Sequence, residues 1–220
     1  ARSGRDVYFV PGALVGEKVR VRMLERSKKI WHTQLLGIED NESEARRTPD
    51  CPHYQRCGGC DLQHMQYDAQ VLFKQSRVER EFGRQKVLVD SWVAPLTSEE
   101  WHYRRKARLG VRFSKEQQKN FIGFREAASS HLTDIDRCIV LPDHPALGWS
   151  EWRQVINSLE AASLITQIEP LLADSALVFI LRALKPLSGN DHQVLTQTFE
   201  RWQAGSDLPL QLWVRTEKHA

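Results

Sequence analysis

Cys51-Pro52-His53-Tyr54-Gln55-Arg56-Cys57-Gly58-Gly59-Cys60 holds three of the four cysteines in a chain of 220 residues, and the fourth, Cys138, lies far downstream. Three thiols around a Gly-Gly pair, with one remote partner, read as a metal site closed by a distant ligand. Such a site clips two segments of the fold together. Short loops between ligands lower the cost of closure, and thiolates select soft and borderline metals. The spacing matches iron–sulfur ligation better than a zinc ribbon, which uses two closely spaced cysteine pairs. Zinc stays open on spacing alone, with His53 and His64 as nearby donors. Four unrelated buried thiols would not cluster in this way.

Upstream of the cysteines the chain reads as β. Lys18-Val19-Arg20-Val21-Arg22-Met23 alternates strictly, with cations on one face and apolar side chains on the other. Val7–Val10 and Thr33–Gly37 are two more short strands. Short strands separated by turn residues predict a small OB-like barrel over residues 1–40. Residues 41–66 then form a polar linker and the cysteine loop, and residues 67–220 a central α/β (α+β) domain. Within that domain a helix is expected after Asp68 as N-cap, with Val71, Leu72, Val78 and Phe82 as its apolar stripe and Gly83 as its stop. Pro145–Ala161 and Asp191–Ala204 read as helices, and Ala176–Leu184 and Leu208–Arg215 as strands.

Charge is distributed unevenly. Residues 101–126 carry 8 Lys/Arg against 2 Asp/Glu, whereas the whole chain has a net charge of only +3. From Arg104 to Phe113, Ala107, Leu109, Val111 and Phe113 fall on one face of a strand, and Arg104, Lys106, Arg108 and Arg112 on the other. A loop at Ser114–Asn120 and a strand at Phe121–Arg125 complete a hairpin. Cations spaced along one face suit a sugar–phosphate backbone. The same pattern also suits a solvated strand. Trp101, Tyr103, Phe121 and Phe124 lie close by, and unstacked RNA bases stack on such rings. For any single ring core packing competes with that role, and Phe124 is the preferred functional candidate. Arg104, Arg105, Lys106, Arg108, Arg112, Phe124 and Arg125 are the expected RNA contacts, with Lys18, Arg20 and Arg22 as further candidates on the barrel.

Composition narrows the setting. Hydrophobic residues make up 41% and charged residues 27%, as in ordinary globular proteins. No apolar run reaches membrane-spanning length and no secretory signal is visible, and four cysteines are too few for a disulfide scaffold. A reducing, cytoplasmic setting without membrane or DNA partners is expected, and a monomer.

The stretches Cys51–Cys60, Tyr103–Leu109, Gly123–Ser130 and Cys138–Pro142 resemble the bacterial 23S ribosomal RNA (uracil-5-)-methyltransferases. Val10-Pro-Gly-Ala-Leu-Val-Gly-Glu17 is similar to the TRAM domain of the subfamily in which an OB-like barrel precedes an iron–sulfur loop. The resemblance implies a 4Fe–4S cluster held by Cys51, Cys57, Cys60 and Cys138, an RNA-binding barrel, a central domain and a C-terminal Rossmann-like domain. In such enzymes a cysteine thiolate adds to a flipped uracil, and the ring carbon takes a methyl group from S-adenosylmethionine. This chain departs from the pattern. Its 12 glycines form no Gly-x-Gly loop, and no cysteine remains as nucleophile once four are ligands. It therefore reads as the N-terminal and central portion, binding rRNA without methylating it, with no catalytic or S-adenosylmethionine-binding residue of its own. A tRNA-modifying member of the same class and a standalone metal-bearing RNA-binding module are the alternative readings.

Overall fold

The alternating segments at the start of the chain do form strands. In a computed structural model that describes residues 1–127 and 129–216, β1 (Arg2–Ser3), β2 (Asp6–Phe9), β3 (Lys18–Ser27) and β4 (Ile30–Asp40) make a four-stranded sheet of order β1-β2-β4-β3. Ala128, within the Gly123–Ser130 motif, and the terminal residues 217–220 lie outside the described residues. β3 and β4 pair antiparallel with three register irregularities, and β2 joins β4 in parallel. The pairing describes a sheet and not a closed barrel. Bulges raise the local twist, which suits a strongly curved hairpin. Val19 and Val21 turn inward while Lys18, Arg20 and Arg22 are exposed, as their alternation predicts, but Met23 is exposed, where the register shifts between Met23 and Glu25.

The chain divides into two compact units, residues 1–55 with 60–97, and residues 56–59 with 98 onward. These boundaries cut the cysteine loop, where the sequence reading places them at residues 40 and 66. The first unit contains helix α1 (Tyr67–Arg84). Gln66 precedes it without a side-chain cap, and Asp68 sits in the first turn, where a carboxylate favours the helix dipole. The expected apolar stripe is not a core stripe. No residue of α1 is buried, and Leu72, Val78 and Phe82 are exposed. The helix runs past Gly83 to Arg84, and its end is closed by Val87 N–H donating to the Phe82 carbonyl.

The second unit is built on a six-stranded sheet. Its strands are β5 (Leu109–Ser114), β6 (Lys119–Arg125), β7 (Leu132–Asp134), β8 (Ile165–Leu172), β9 (Leu177–Ala183) and β10 (Leu210–Thr216), in the order β10-β9-β8-β5-β6-β7. Helices α2 (Trp149–Ser158) and α3 (Gly189–Gln203) pack on one face. A single 3-10 turn at Pro145–Leu147 precedes α2, so the helix expected over Pro145–Ala161 is interrupted at Gly148.

Two strands are invisible to pattern reading. β8 carries Gln167, Glu169 and Pro170 among its apolar residues, which hides it, yet it lies in the middle of the sheet. β7 is only three residues long. Leu109, Ile168 and Leu181 line up across β5, β8 and β9 and are fully buried. Trp152 packs on Phe179 with ring centroids 5.0 Å apart, and Phe199 and Trp202 of α3 close the cluster. Each large apolar side chain buried this way contributes about 1.5–3 kcal/mol. α3 begins with a capping box in which Ser188 and Asp191 exchange hydrogen bonds, and Asp191 also accepts the Glu160 N–H at 2.7 Å.

Candidate nucleic-acid interface and cysteine loop

The basic segment is not one strand. Arg104 N–H donates to the Val140 carbonyl at 2.9 Å, whereas Ala107 N–H donates to Pro170 and Leu172 N–H to Arg105. The backbone changes partners between residues 104 and 106, so a regular ladder starts only at Leu109. The predicted alternation holds from Lys106 onward, where a bridge with Leu171 keeps the extended register, and not at Arg104 and Arg105, which are both exposed. Ala107, Leu109 and Val111 are buried, and Arg104, Lys106, Arg108 and Arg112 are exposed.

Strand alternation fixes which face these cations share. Leu109, Ile168, Leu181 and Phe179 point toward α2 and α3, so Lys106, Arg108 and Arg112 belong to the opposite, helix-free face. Arg108 lies 3.5 Å from Glu169, a buried carboxylate that also pairs with Arg182 of β9. Arg112 stands opposite Phe121 in the β5–β6 register, and the Lys119 ammonium sits 5.2 Å from the Phe121 ring centroid. Arg105 pairs with the exposed Asp174 at 2.7 Å. Arg125 is exposed at the end of β6. Phe124 takes the other face. It is partly buried against the helix-covered core, as its position two residues on from fully buried Ile122 requires. Sequence reading passed over Lys119 and Arg182. The alternation in Leu177–Ala183 would have exposed the second of these.

The cysteine loop is described in two parts. In the second unit, Arg56–Gly59 lies along the end of β6. Gly58 N–H donates to the Arg125 carbonyl at 2.9 Å, Cys57 bridges Glu126, and Arg56 pairs with Glu126 at 2.8 Å. The Arg56 guanidinium, followed by the Ser129 hydroxyl, holds the Glu126 carboxyl below its ordinary range. Cys138 is half-buried against the same unit's core.

In the first unit, Cys51 N–H donates to the Gln63 side chain, and the Tyr54 hydroxyl donates to the Asp61 carbonyl at 2.7 Å and meets His64 Nδ1 at 2.5 Å. Burial pushes Tyr54 up to about 12 and His64 down. Behind this loop, Arg46 grips Glu17 through two contacts of 2.6 Å and donates to the Gly12 carbonyl at 2.7 Å. That hydrogen bond, against the opposing effect of burial, lowers Glu17 from 4.5 to about 2. The Val10–Glu17 motif thus works as a turn with left-handed Gly12 and Gly16, stapled to residues 43–47 through its glutamate. Nothing in the pattern of the sequence pairs Glu17 with Arg46.

All four cysteines are of intermediate burial. As donors they suit a thiolate-binding metal or cluster. Among the described residues no group of three or more His, Cys, Asp or Glu that could hold a metal ion is found. Also among the described residues, no helix is long and apolar enough to cross a membrane.

No protein-family model matches the chain. Individual proteins do. It is 36% identical over 197 residues to "23S rRNA (uracil(1939)-C(5))-methyltransferase RlmD" of Shewanella sp. (strain ANA-3), which covers 90% of this chain and 44% of that protein. The identically named proteins of Shewanella sediminis and Legionella pneumophila (strain Corby) are 38% and 36% identical, over 86% and 92% of this chain. This chain is thus a homologue of those proteins over most of its length, and it spans less than half of theirs. Among solved structures, the crystal structure of Pyrococcus abyssi tRNA (uracil-54, C5)-methyltransferase in complex with S-adenosyl-L-homocysteine superposes with a TM-score of 0.62 at 19% identity, over 97% of this chain and 48% of that one. That likeness is one of fold: mixed α/β, with two sheets and three α-helices among the described residues of the present chain.

Proposed function

We propose that this chain is the N-terminal and central, rRNA-recognition portion of an S-adenosylmethionine-dependent methyltransferase that forms 5-methyluridine in 23S ribosomal RNA. The observation that carries the reading is the match at 36–38% identity to proteins so named. The exposed cations on the helix-free face of the second unit support it. In this reading Arg104, Lys106, Arg108 and Arg112 hold phosphates, and Arg105 and Arg125 flank them. Phe124 serves the site from beneath by packing, and Lys18, Arg20 and Arg22 add contacts from a barrel-like first unit. Cys51, Cys57, Cys60 and Cys138 are the ligands of a 4Fe–4S cluster with a structural role, a proposal that rests on their donor chemistry and on the resemblance of the cysteine loop. The longer parent is cytoplasmic and monomeric and supplies the cofactor pocket and the nucleophile, so this chain alone binds RNA and does not methylate it. The tRNA-modifying alternative has only the fold likeness behind it.

Phosphate contacts make affinity fall with salt, by about 0.7 log units per log unit of salt for each phosphate neutralised on a single strand. Arg104→Gln with Arg108→Gln is expected to shallow that slope by roughly 1.4 on a 23S rRNA fragment. An unchanged slope and affinity would remove the basic face from the function. Iron and acid-labile sulfide in equal amounts, lost in Cys138→Ala, would support the cluster. Zinc without sulfide would favour the standalone module.

A further inference from the structure

The helix-free face extends beyond the segment rich in cations. At the far edge of the sheet, β10 pairs in parallel with β9, with Leu212 opposite Phe179, Trp213 opposite Ile180 and Arg215 opposite Arg182. Leu212 shares the helix-covered side with buried Phe179. Trp213 and Arg215 therefore share the open side with Ile180 and Arg182. One row then crosses four strands as Trp213, Ile180, Glu169 and Arg108, through the pairs Trp213–Ile180 and Glu169–Ile180 and the 3.5 Å contact between Glu169 and Arg108.

Two features of this edge call for a ligand. Trp213 is 61% exposed, although tryptophan is the side chain with the largest apolar area to hide. Exposed Arg215 stands directly opposite Arg182, whose charge is met by Glu169, so the cationic group turned to solvent at this edge is Arg215. Glu169 is committed to Arg182 and Arg108 and is buried beneath them, so it neutralises the middle of the face and leaves its rims cationic. Neighbouring strands are about 4.8 Å apart, so the row from Trp213 to Arg108 spans roughly 14 Å. Open sheets of this width bind two or three unpaired nucleotides by stacking bases on surface rings.

We infer that the helix-free face of the six-stranded sheet is a single-stranded RNA platform, on which an unpaired base stacks on Trp213 while Arg215 holds the adjoining phosphate. The inference deepens the proposed rRNA-recognition role and rests on it. The stacking ring is thus Trp213, at the opposite edge of the sheet from Phe124. Charge complementarity selects the occupant: the exposed ring shares its strand face with exposed Arg215, and exposed Arg108 ends the row that starts at it.

The test uses the whole chain and a fluorescein-labelled oligouridine, with fluorescence anisotropy read over a salt series. Stacking is worth about 1–3 kcal/mol per base, or roughly five- to 150-fold in affinity. Trp213→Ala is expected to weaken binding within that range and to leave the salt slope unchanged, and Trp213→Phe to restore most of the loss. Arg215→Gln is expected to shallow the slope by about 0.7. On an oligomer of the same length that lacks bases, wild type and Trp213→Ala should bind alike. The inference is overturned if Trp213→Ala binds oligouridine as wild type does, or loses as much affinity for the abasic oligomer. It is also overturned if Trp213→Ala dissolves a concentration-dependent oligomer, which would assign the face to a second copy. If the Arg104/Arg108 double variant alters binding and Trp213→Ala does not, the rRNA reading stands and the stacking site falls. If wild type binds no RNA, both fall. Trp213 lies on the surface, so unchanged circular dichroism in both variants is expected and separates a binding loss from misfolding.

Discussion

Replacing Gly58 by alanine tests how the cysteine loop is held to the basic hairpin. A methyl group at this position would lie 2.8 Å from the Arg125 carbonyl oxygen and 3.1 Å from both Cα and N of Ala127. All three are backbone atoms, so no flexible side chain can swing away. The loop cannot lift off freely either, because Gly58 N–H donates to that same Arg125 carbonyl at 2.9 Å. Relief of the clash therefore stretches the hydrogen bond. Overpacking of this kind costs about 1–3 kcal/mol, and a backbone hydrogen bond contributes about 0.5–1.5 kcal/mol net. One strain is relieved at the expense of the other, so the expected loss is about 1–3 kcal/mol. Gly59 is the internal control. Its added methyl would meet the Cys57 sulfur at 3.4 Å and the Phe124 ring at 3.9 Å, which is ordinary contact. Neither glycine is among the residues with left-handed backbone, so at Gly59 alanine restricts the unfolded chain without straining the folded one, a gain of about 0.4–1 kcal/mol. Thermal unfolding followed by circular dichroism should show Gly58→Ala melting several degrees below wild type, at about 2–4 °C per kcal/mol, and Gly59→Ala at or slightly above it. Equal melting temperatures for the two variants would refute the steric argument and with it the docking of Arg56–Gly59 on β6.

The Glu17–Arg46 pair gives the fold an acid-sensitive staple. The folded carboxyl titrates at about 2 against an ordinary 4.5, so its contribution is complete above about pH 4.5 and is lost as the pH falls toward 2. Melting temperature measured against pH should drop over that window in wild type, and Glu17→Gln should lower stability at neutral pH while flattening the acid limb. An acid limb of the same steepness in the variant would remove Glu17 as its source. Asp191→Ala leaves the part-buried Ser188 and Glu160 N–H groups without their acceptor, and each lost hydrogen bond costs about 0.5–1.5 kcal/mol. Denaturant unfolding should show a larger loss than Ser188→Ala, which removes one cap worth about 1 kcal/mol.

Much of the local structure was legible in the chain alone. Strict alternation in Lys18–Arg22 and Ala107–Phe113 fixed which side chains face inward, because a strand has a period of two whatever it packs against. The helices after Asp68 and around Asp191 followed from periodicity, although Asp68 lies in the first turn of its helix and does not cap it. The cysteine spacing and the quoted motifs indicated the relatives. The tertiary structure alone decided the rest, because those features depend on contacts between residues remote in sequence. β8 takes the centre of its sheet despite Glu169 and Pro170, since Arg108 and Arg182 satisfy the buried carboxylate and the Pro170 carbonyl still accepts from Ala107. The stripe of α1 looked like a core stripe, but periodicity records only that a face is apolar and cannot record what covers it. Which cations share a face, and that Trp213 stands among them, follows only from the register of β10 on β9 and of β9 on β8. Sequence fixes the alternation along each strand, and pairing across the sheet turns that alternation into a surface.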